Sequence, residues 1–244
     1  MRASEGPRWT RAVNARSGRL HETVKSGVKE WGRVLLLAAA AFLLRIYQID
    51  RQELWFDEAT SYYFATIMGA IAHENTPPLY YLLLRAWMAV AGTDETAIRL
   101  LSALFGTVFV LAILWAGRTF FNAAAGWWSG LFSTFAPIHI YYSQEARAYV
   151  LATLLVLLTY VLLWRAMERM TPRSWLLASA AALLALHTHY LTFFALLPAA
   201  LLVNLWPHLT ECGDAGSPLA ALSCSAVSSF SHGSSGALSS PVIR

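Results

Sequence analysis

Apolar positions dominate this chain, and the polar ones are gathered at a few levels along it. A polar, basic stretch from Met1 to Arg33 gives way to an apolar run from Val34 to Leu44, extended by Ile46, Tyr47 and Ile49. Further apolar runs cover Ala97 to Phe121, Ala123 to Tyr142 and Tyr149 to Met167. A last long block, Trp175 to Trp206, is interrupted by His187-Thr188-His189-Tyr190. A helix needs about 20 apolar residues to cross a bilayer. The pattern therefore predicts about six transmembrane helices, the last block folding as two short spans with a tight turn at the histidine pair. Lipid leaves backbone groups no partner outside the chain, so spans of this length must be helical. The expected fold class is all-α, an integral membrane helical bundle.

The segment between the first and second spans carries more than a solvated loop. Asp57 is placed to N-cap a helix running from Glu58 to Ala72. Leu79 to Ala91 is apolar apart from Arg85 and too short to span with ease, so it reads as an interfacial or re-entrant helix. Pro77-Pro78 sets a bend before it. Arg45, near the far end of the first span, is expected to snorkel to the interface. The divisions that follow are a cytoplasmic basic arm over 1–33, a transmembrane core over 34–207, and a Ser/Gly-rich tail over 208–244. The tail has the composition of a disordered segment.

Composition sharpens this picture. Of the 244 residues, 57% are hydrophobic and 13% charged, against roughly 25% charged in soluble domains. The mean hydropathy is +0.48. With the N-terminus inside, most Lys and Arg fall on the cytoplasmic side and most acids on the other, as charge asymmetry in membrane proteins requires. The basic region before the first apolar run is too long for a cleavable signal peptide. Basic residues are not interleaved with aromatics on a polar face, which excludes nucleic acid as a partner. Cys212 and Cys224 match no zinc or redox spacing.

This topology brings three polar segments to one face of the membrane: Trp55 to Tyr81, Tyr142 to Tyr149, and His187 to Tyr190. Polar groups are costly beside lipid, so such a gathering marks a functional site. Asp57 is a candidate general base, half shielded by Trp55 and Phe56, or simply a helix cap with Glu58 favouring the dipole. Arg147 suits a lipid phosphate, which a guanidinium grips with two hydrogen bonds; it could equally pair with Glu145. His187 and His189 could supply metal ligands, a proton carrier or hydrogen bonds to a sugar. They point to different faces of a helix, which weakens a shared metal. His73 beside Glu74 is equally open, and His139 reads as a hydrogen-bonded core residue. Tyr80-Tyr81 and Tyr141-Tyr142 serve as interface anchors or as rings that stack on sugars.

At these residues the chain resembles the polytopic glycosyltransferases of the GT-C type. The likeness is to bacterial relatives of the family 39 dolichyl-phosphate-mannose protein mannosyltransferases and of the lipid A aminoarabinose transferase. Leu54-Trp55-Phe56-Asp57-Glu58-Ala59 resembles the acidic motif of the first outer loop. His73 to Tyr81, continued by Ile98 to Gly106, resembles the Pro-Pro-Leu-Tyr-Tyr segment and the opening of the second span. Tyr141 to Tyr149 resembles the motif between spans three and four. The likeness covers roughly Leu44 to Pro207.

The resemblance implies transfer of a sugar from a polyprenyl-phosphate-linked donor to a protein or lipid acceptor, at the extracytoplasmic face of a bacterial inner membrane. Asp57 would take the acceptor proton, with Glu58 in support. Arg147, with Glu145 and Tyr142, would hold the donor phosphate. His73, Tyr80, His187, His189 and Tyr190 would contact substrate. No metal ligand set is implied, though a divalent metal is compatible with such chemistry. A single displacement would invert the anomeric centre, by analogy with glycoside chemistry. Relatives usually continue through further spans, so the chain is expected to be a truncated form. The alternative is a catalytically incomplete subunit or paralogue. A transporter is disfavoured, because transporters place polar groups at the midplane and here they sit at span ends.

Overall fold

The computed structural model describes residues 30–67 and 77–211, with side chains placed as far as 204. The described residues form nine helices and no strand. In chain order these are α1 (30–46), α2 (Phe56–Thr66), α3 (Leu79–Ala91), α4 (Glu95–Phe120), α5 (Ala123–Phe135), α6 (Pro137–Ser143), α7 (Tyr149–Arg169), α8 (Pro172–Leu186) and α9 (Thr192–Glu211). By length and composition α4 and α7 can each cross a membrane, while α3, α8 and 192–204 are shorter apolar helices. The chain divides into two compact units, Met1–Thr192 and Phe193–Arg244. The second contributes α9 from Phe193 onward, where the Phe193 and Phe194 rings meet edge-on at 5.6 Å. Residues 208–211, assigned to the tail, continue α9; the rest of the tail, the arm to residue 29 and His73 lie outside the described residues.

In the first unit α4 is the central helix, packed by α3, α5, α6 and α7. Asp94 caps its start by accepting from the Ala97 amide at 3.4 Å. Asn122 caps α5 through the Ala125 amide at 2.8 Å. Thr171 caps α8, with Pro172 in the first turn where its missing N–H costs nothing. Gly117 and Gly126 let α4 and α5 touch at backbone distance, since a Cβ on Gly117 would fall 2.7 Å from the Gly126 Cα. Along the same face of α4, Leu37 and Ala41 of α1 pack against Val110 and Leu114, with Trp127 alongside. Antiparallel α7 and α8 join through the small buried residues Ala178, Ala181 and Ala185.

Three local expectations change. The third apolar run is two helices rather than one, because Pro137 cannot donate to the ladder and drives Ala136 to extended geometry (φ −66°, ψ 117°). Asp57 is not the N-cap of α2. That position is Trp55, which makes no side-chain cap bond, and both acids sit in the first turn. There they still favour the positive end of the helix dipole. Arg45 does not snorkel: it is fully buried, because Gly106 and Ser143 leave a space for its head inside the bundle.

Candidate active site

The site is built on a buried strut. Glu58, 1% exposed, faces Arg99 in the first helical turns of α4. Its two oxygens accept from Arg99 Nε at 2.9 Å and Nη2 at 2.7 Å. Arg99 Nη1 donates to the carbonyls of Ile49 (2.9 Å) and Gln52 (2.7 Å), and Nη2 also donates to that of Glu53 (3.2 Å). All five guanidinium N–H groups are thereby used. Glu58 Oε1 also accepts from the Ala146 amide at 2.8 Å. One ion pair thus fixes the segment before α2, the start of α4 and the loop between α6 and α7.

That fixing sets Arg147 against Asp57. Arg147 Nη1 donates to the Asp57 carbonyl at 2.9 Å, and Nη2 lies 3.4 Å from Asp57 Oδ2. Nη2 also donates to the Tyr149 hydroxyl at 3.1 Å, and the guanidinium sits 5.3 Å from the centre of the Tyr149 ring. Both charged side chains keep solvent access, 19% for Arg147 and 35% for Asp57. The pairing open to Arg147 with Glu145 is therefore resolved in favour of Asp57. Glu145 instead lines a cavity of about 610 Å³ with Tyr47, Trp55, Glu58, Arg99 and Tyr141. Burial holds the Glu145 carboxyl above the usual range; the Glu58 charge adds to this, while Tyr141 and Arg147 work against it.

The His187–Tyr190 turn joins the same end of the bundle. The Leu79 amide donates to the His187 carbonyl at 2.9 Å, docking the start of α3 on the turn. His189 packs its ring 5.6 Å from that of Tyr149 and stacks on Tyr190 at 4.8 Å. Its Nδ1 accepts from the Leu191 amide at 3.2 Å, which leaves Nε2 to carry the proton of the neutral ring. Burial, and then the Arg147 charge, hold its pKa below the ordinary histidine value. His187 turns away, donating from Nδ1 to the Leu183 carbonyl at 2.8 Å. Tyr190 is exposed.

Tyr142 meets Tyr149 edge-on at 5.5 Å, completing an aromatic wall beside Arg147. Tyr80 is fully buried, and its hydroxyl shares a 3.3 Å hydrogen bond with Ser102. Among the described residues no three His, Cys, Asp or Glu side chains gather as a metal site. The structure therefore brings together Asp57, Glu58, Arg147, Tyr142, Tyr149 and His189, with His187 and Tyr190 on the adjoining turn and Tyr80 beneath. Sequence reading missed Arg99 and Tyr149 as site residues. Arg99 left a signal, because an arginine in the first turns of an apolar span is costly without a partner.

A carboxylate–guanidinium pair is thus held at one end of an all-helical, apolar bundle with helices long enough to cross a membrane. The chain belongs to the dolichyl-phosphate-mannose-protein mannosyltransferase family, whose sequence model matches residues 75–229. It is thus a membrane glycosyltransferase of mannosyltransferase type. The matched stretch runs past Pro207, further than the motif resemblance reached, and begins downstream of Asp57 and Glu58. No curated protein and no solved structure matches the chain.

Proposed function

We propose that this protein moves a sugar from a polyprenyl-phosphate carrier to a hydroxyl of a protein or lipid acceptor at the extracytoplasmic face of a bacterial cell membrane. The observation that carries the reading is the half-buried, solvent-accessible Asp57–Arg147 pair, 3.4 Å apart on a buried scaffold. A phosphate competes with Asp57 for the Arg147 fork, since both are anions and the fork can serve two oxygens. Donor binding would therefore weaken the resting pair and free the Asp57 carboxylate as it places the sugar beside it.

Asp57 then takes the proton of the acceptor hydroxyl while that oxygen attacks the anomeric carbon. The bond from that carbon to the carrier phosphate breaks, and its electron pair leaves with the phosphate. Arg147 balances the charge that remains on the leaving group. Attack opposite the leaving group inverts the anomeric centre. Glu58 holds Asp57 in place through the Arg99 strut. Tyr142, His189, Tyr190 and, behind them, Tyr80 and His187 shape the space for the sugar, and Glu145 faces the neighbouring cavity.

The test is transfer by the full-length protein in nanodiscs, using a polyprenyl-phosphate-mannose donor and reading release of polyprenyl phosphate. Asp57→Asn is expected to lower the rate about 10²–10⁴-fold, the range for a positioned general base, with donor affinity kept. Arg147→Ala is expected to weaken donor binding, and Arg147→Lys to rescue it only in part, because a lysine lacks the planar fork. Near-normal transfer by Asp57→Asn would remove the assigned base.

A further inference from the structure

Arg45 is a buried cation that the transfer reaction leaves unused. It stands one residue from the described end of α1 and is fully buried. Nε donates to Ser143 Oγ at 3.2 Å, Nη1 to the Ala41 carbonyl at 3.0 Å, and Nη2 to the Ser133 carbonyl at 3.3 Å. These bonds leave one N–H free on each terminal nitrogen. All three acceptors are neutral. The ion pairs among the described residues are Arg99–Glu58, Arg118–Glu30 and Arg147–Asp57, so no carboxylate answers the Arg45 charge there. A buried charge is costly unless it is paired. Arg99 shows the contrast, with every N–H used and a carboxylate in contact.

Arg45 is among the residues that line a cavity of about 350 Å³. Phe109, Ile138 and Val150 line its apolar part, and Tyr142 and Tyr149 its border toward Arg147. Gly106 is required for this arrangement, since a Cβ there would come within 2.8 Å of Arg45 Nε. Beside the carbonyl that takes Nη2, Ser133 Oγ is buried and makes no hydrogen bond among the described residues. Free donors on both terminal nitrogens of one fork match two oxygens of a single anion. The apolar wall asks for a hydrocarbon chain behind that anion, and the anions of membrane lipids are their phosphates.

We propose that the Arg45 cavity is a second phosphate site, separate from Arg147, which takes the phosphate head of a lipid with its first chain carbons against Phe109, Ile138 and Val150. The site stands on Arg45 and its cavity, and holds whether or not Asp57 acts as a base. Tyr149 takes part in both places: its hydroxyl accepts from Arg147, and the residue lines this cavity together with Arg45.

The test is native mass spectrometry of the full-length protein in a maltoside detergent, which carries no phosphate. Farnesyl phosphate, phosphatidylglycerol and inorganic phosphate are titrated separately. Arg45→Gln removes the charge. Thr153→Trp plugs the cavity while leaving the Arg45 hydrogen bonds alone, because Thr153 is exposed, lines the cavity and bonds the Tyr149 carbonyl. One equivalent of phosphate lipid is expected to survive Arg147→Ala and to bind about tenfold or more weakly in both other variants. Weakening confined to farnesyl phosphate identifies an isoprenoid carrier, and equal weakening for phosphatidylglycerol a bilayer lipid; either supports the site. Binding of inorganic phosphate only, or lipid retained at full affinity by Thr153→Trp, overturns it. If Arg45→Gln fails to fold, Thr153→Trp decides alone. Transfer activity is read in parallel, so loss of this site and loss of the base are told apart.

Discussion

Two adjacent carboxylates, Asp57 and Glu58, meet opposite surroundings in the first turn of α2. Asp57 is 35% exposed and touches one cation side-on, whereas Glu58 is 1% exposed and bound on both oxygens. The same chemical group is thus open to solvent at one position and locked as a strut at the next. Glu58→Gln is expected to destabilise the protein by about 3–5 kcal/mol, because it leaves the Arg99 charge buried without its partner. Asp57→Asn should shift the melting temperature little while removing transfer. Thermal unfolding of both variants in detergent checks this, and an unshifted Glu58→Gln would refute the strut. His189 provides a second prediction at this scale. Its folded-state pKa lies below the ordinary value of 6.5, from burial first and Arg147 second. The unfolded chain therefore takes up the proton first as pH falls below about 6.5, and the fold loses stability through the window down to the folded value. Above that window His189 is neutral in both states and has no effect. His189→Gln should flatten the melting profile there. NMR of the labelled imidazole should show its titration moving upward in Arg147→Ala, but only part of the way, since burial persists.

Helices α4 and α5 show how an element can be set by the absence of side chains. The Gly117–Gly126 crossing brings backbone against backbone, so a new Cβ on Gly117 meets Gly126 Cα and N at 2.7 and 2.9 Å, with no flexible atom to yield. Gly117→Ala is expected to cost about 1–3 kcal/mol by overpacking. Gly32→Ala, with nothing within 4 Å of its Cβ, should be neutral or stabilising by up to about 1 kcal/mol through helix propensity. Melting of the pair decides it, and equal shifts would argue against close packing. The helices were readable from apolar runs and breakers, because period and length are local properties: α4, α7 and the turn at His187 fall where the pattern puts them. Asp57 and Arg147 were readable too, as charges beside apolar segments. The Arg99 hub was not, because its carbonyl partners lie 46–50 residues away and carry no side-chain signature. The burial of Arg45 was hidden for a similar reason. It depends on the space left at Gly106 and on Ser143, 98 residues along the chain.

At the scale of the whole first unit, one end of the bundle is tied together three times. Glu58 bonds the Ala146 amide, Arg147 bonds Asp57, and the Leu79 amide bonds the His187 carbonyl. Segments separated by up to 108 residues in number, from Leu79 to His187, are thereby held at one level. The opposite end carries a different chemistry, with Arg118 paired to Glu30 and lying over Trp127, and Arg165 over Trp115. Basic residues backed by aromatic rings at one end and a carboxylate–guanidinium pair at the other give the first unit an electrical direction. The positive-inside rule gives an expectation for this direction: on the proposed function, the arginine–tryptophan end faces the cytoplasm. On the same proposal the Asp57–Arg147 end is expected to face out, on the side where the proposed lipid-linked donor presents its sugar. In a background with Cys212 and Cys224 replaced by serine, single cysteines at exposed Thr93, between α3 and α4, and exposed Thr171, between α7 and α8, report the two ends. A membrane-impermeant maleimide added to intact spheroplasts should label Thr93→Cys and leave Thr171→Cys unlabelled until the membrane is opened. The reverse pattern would turn the site toward the cytoplasm and require a donor on that side instead.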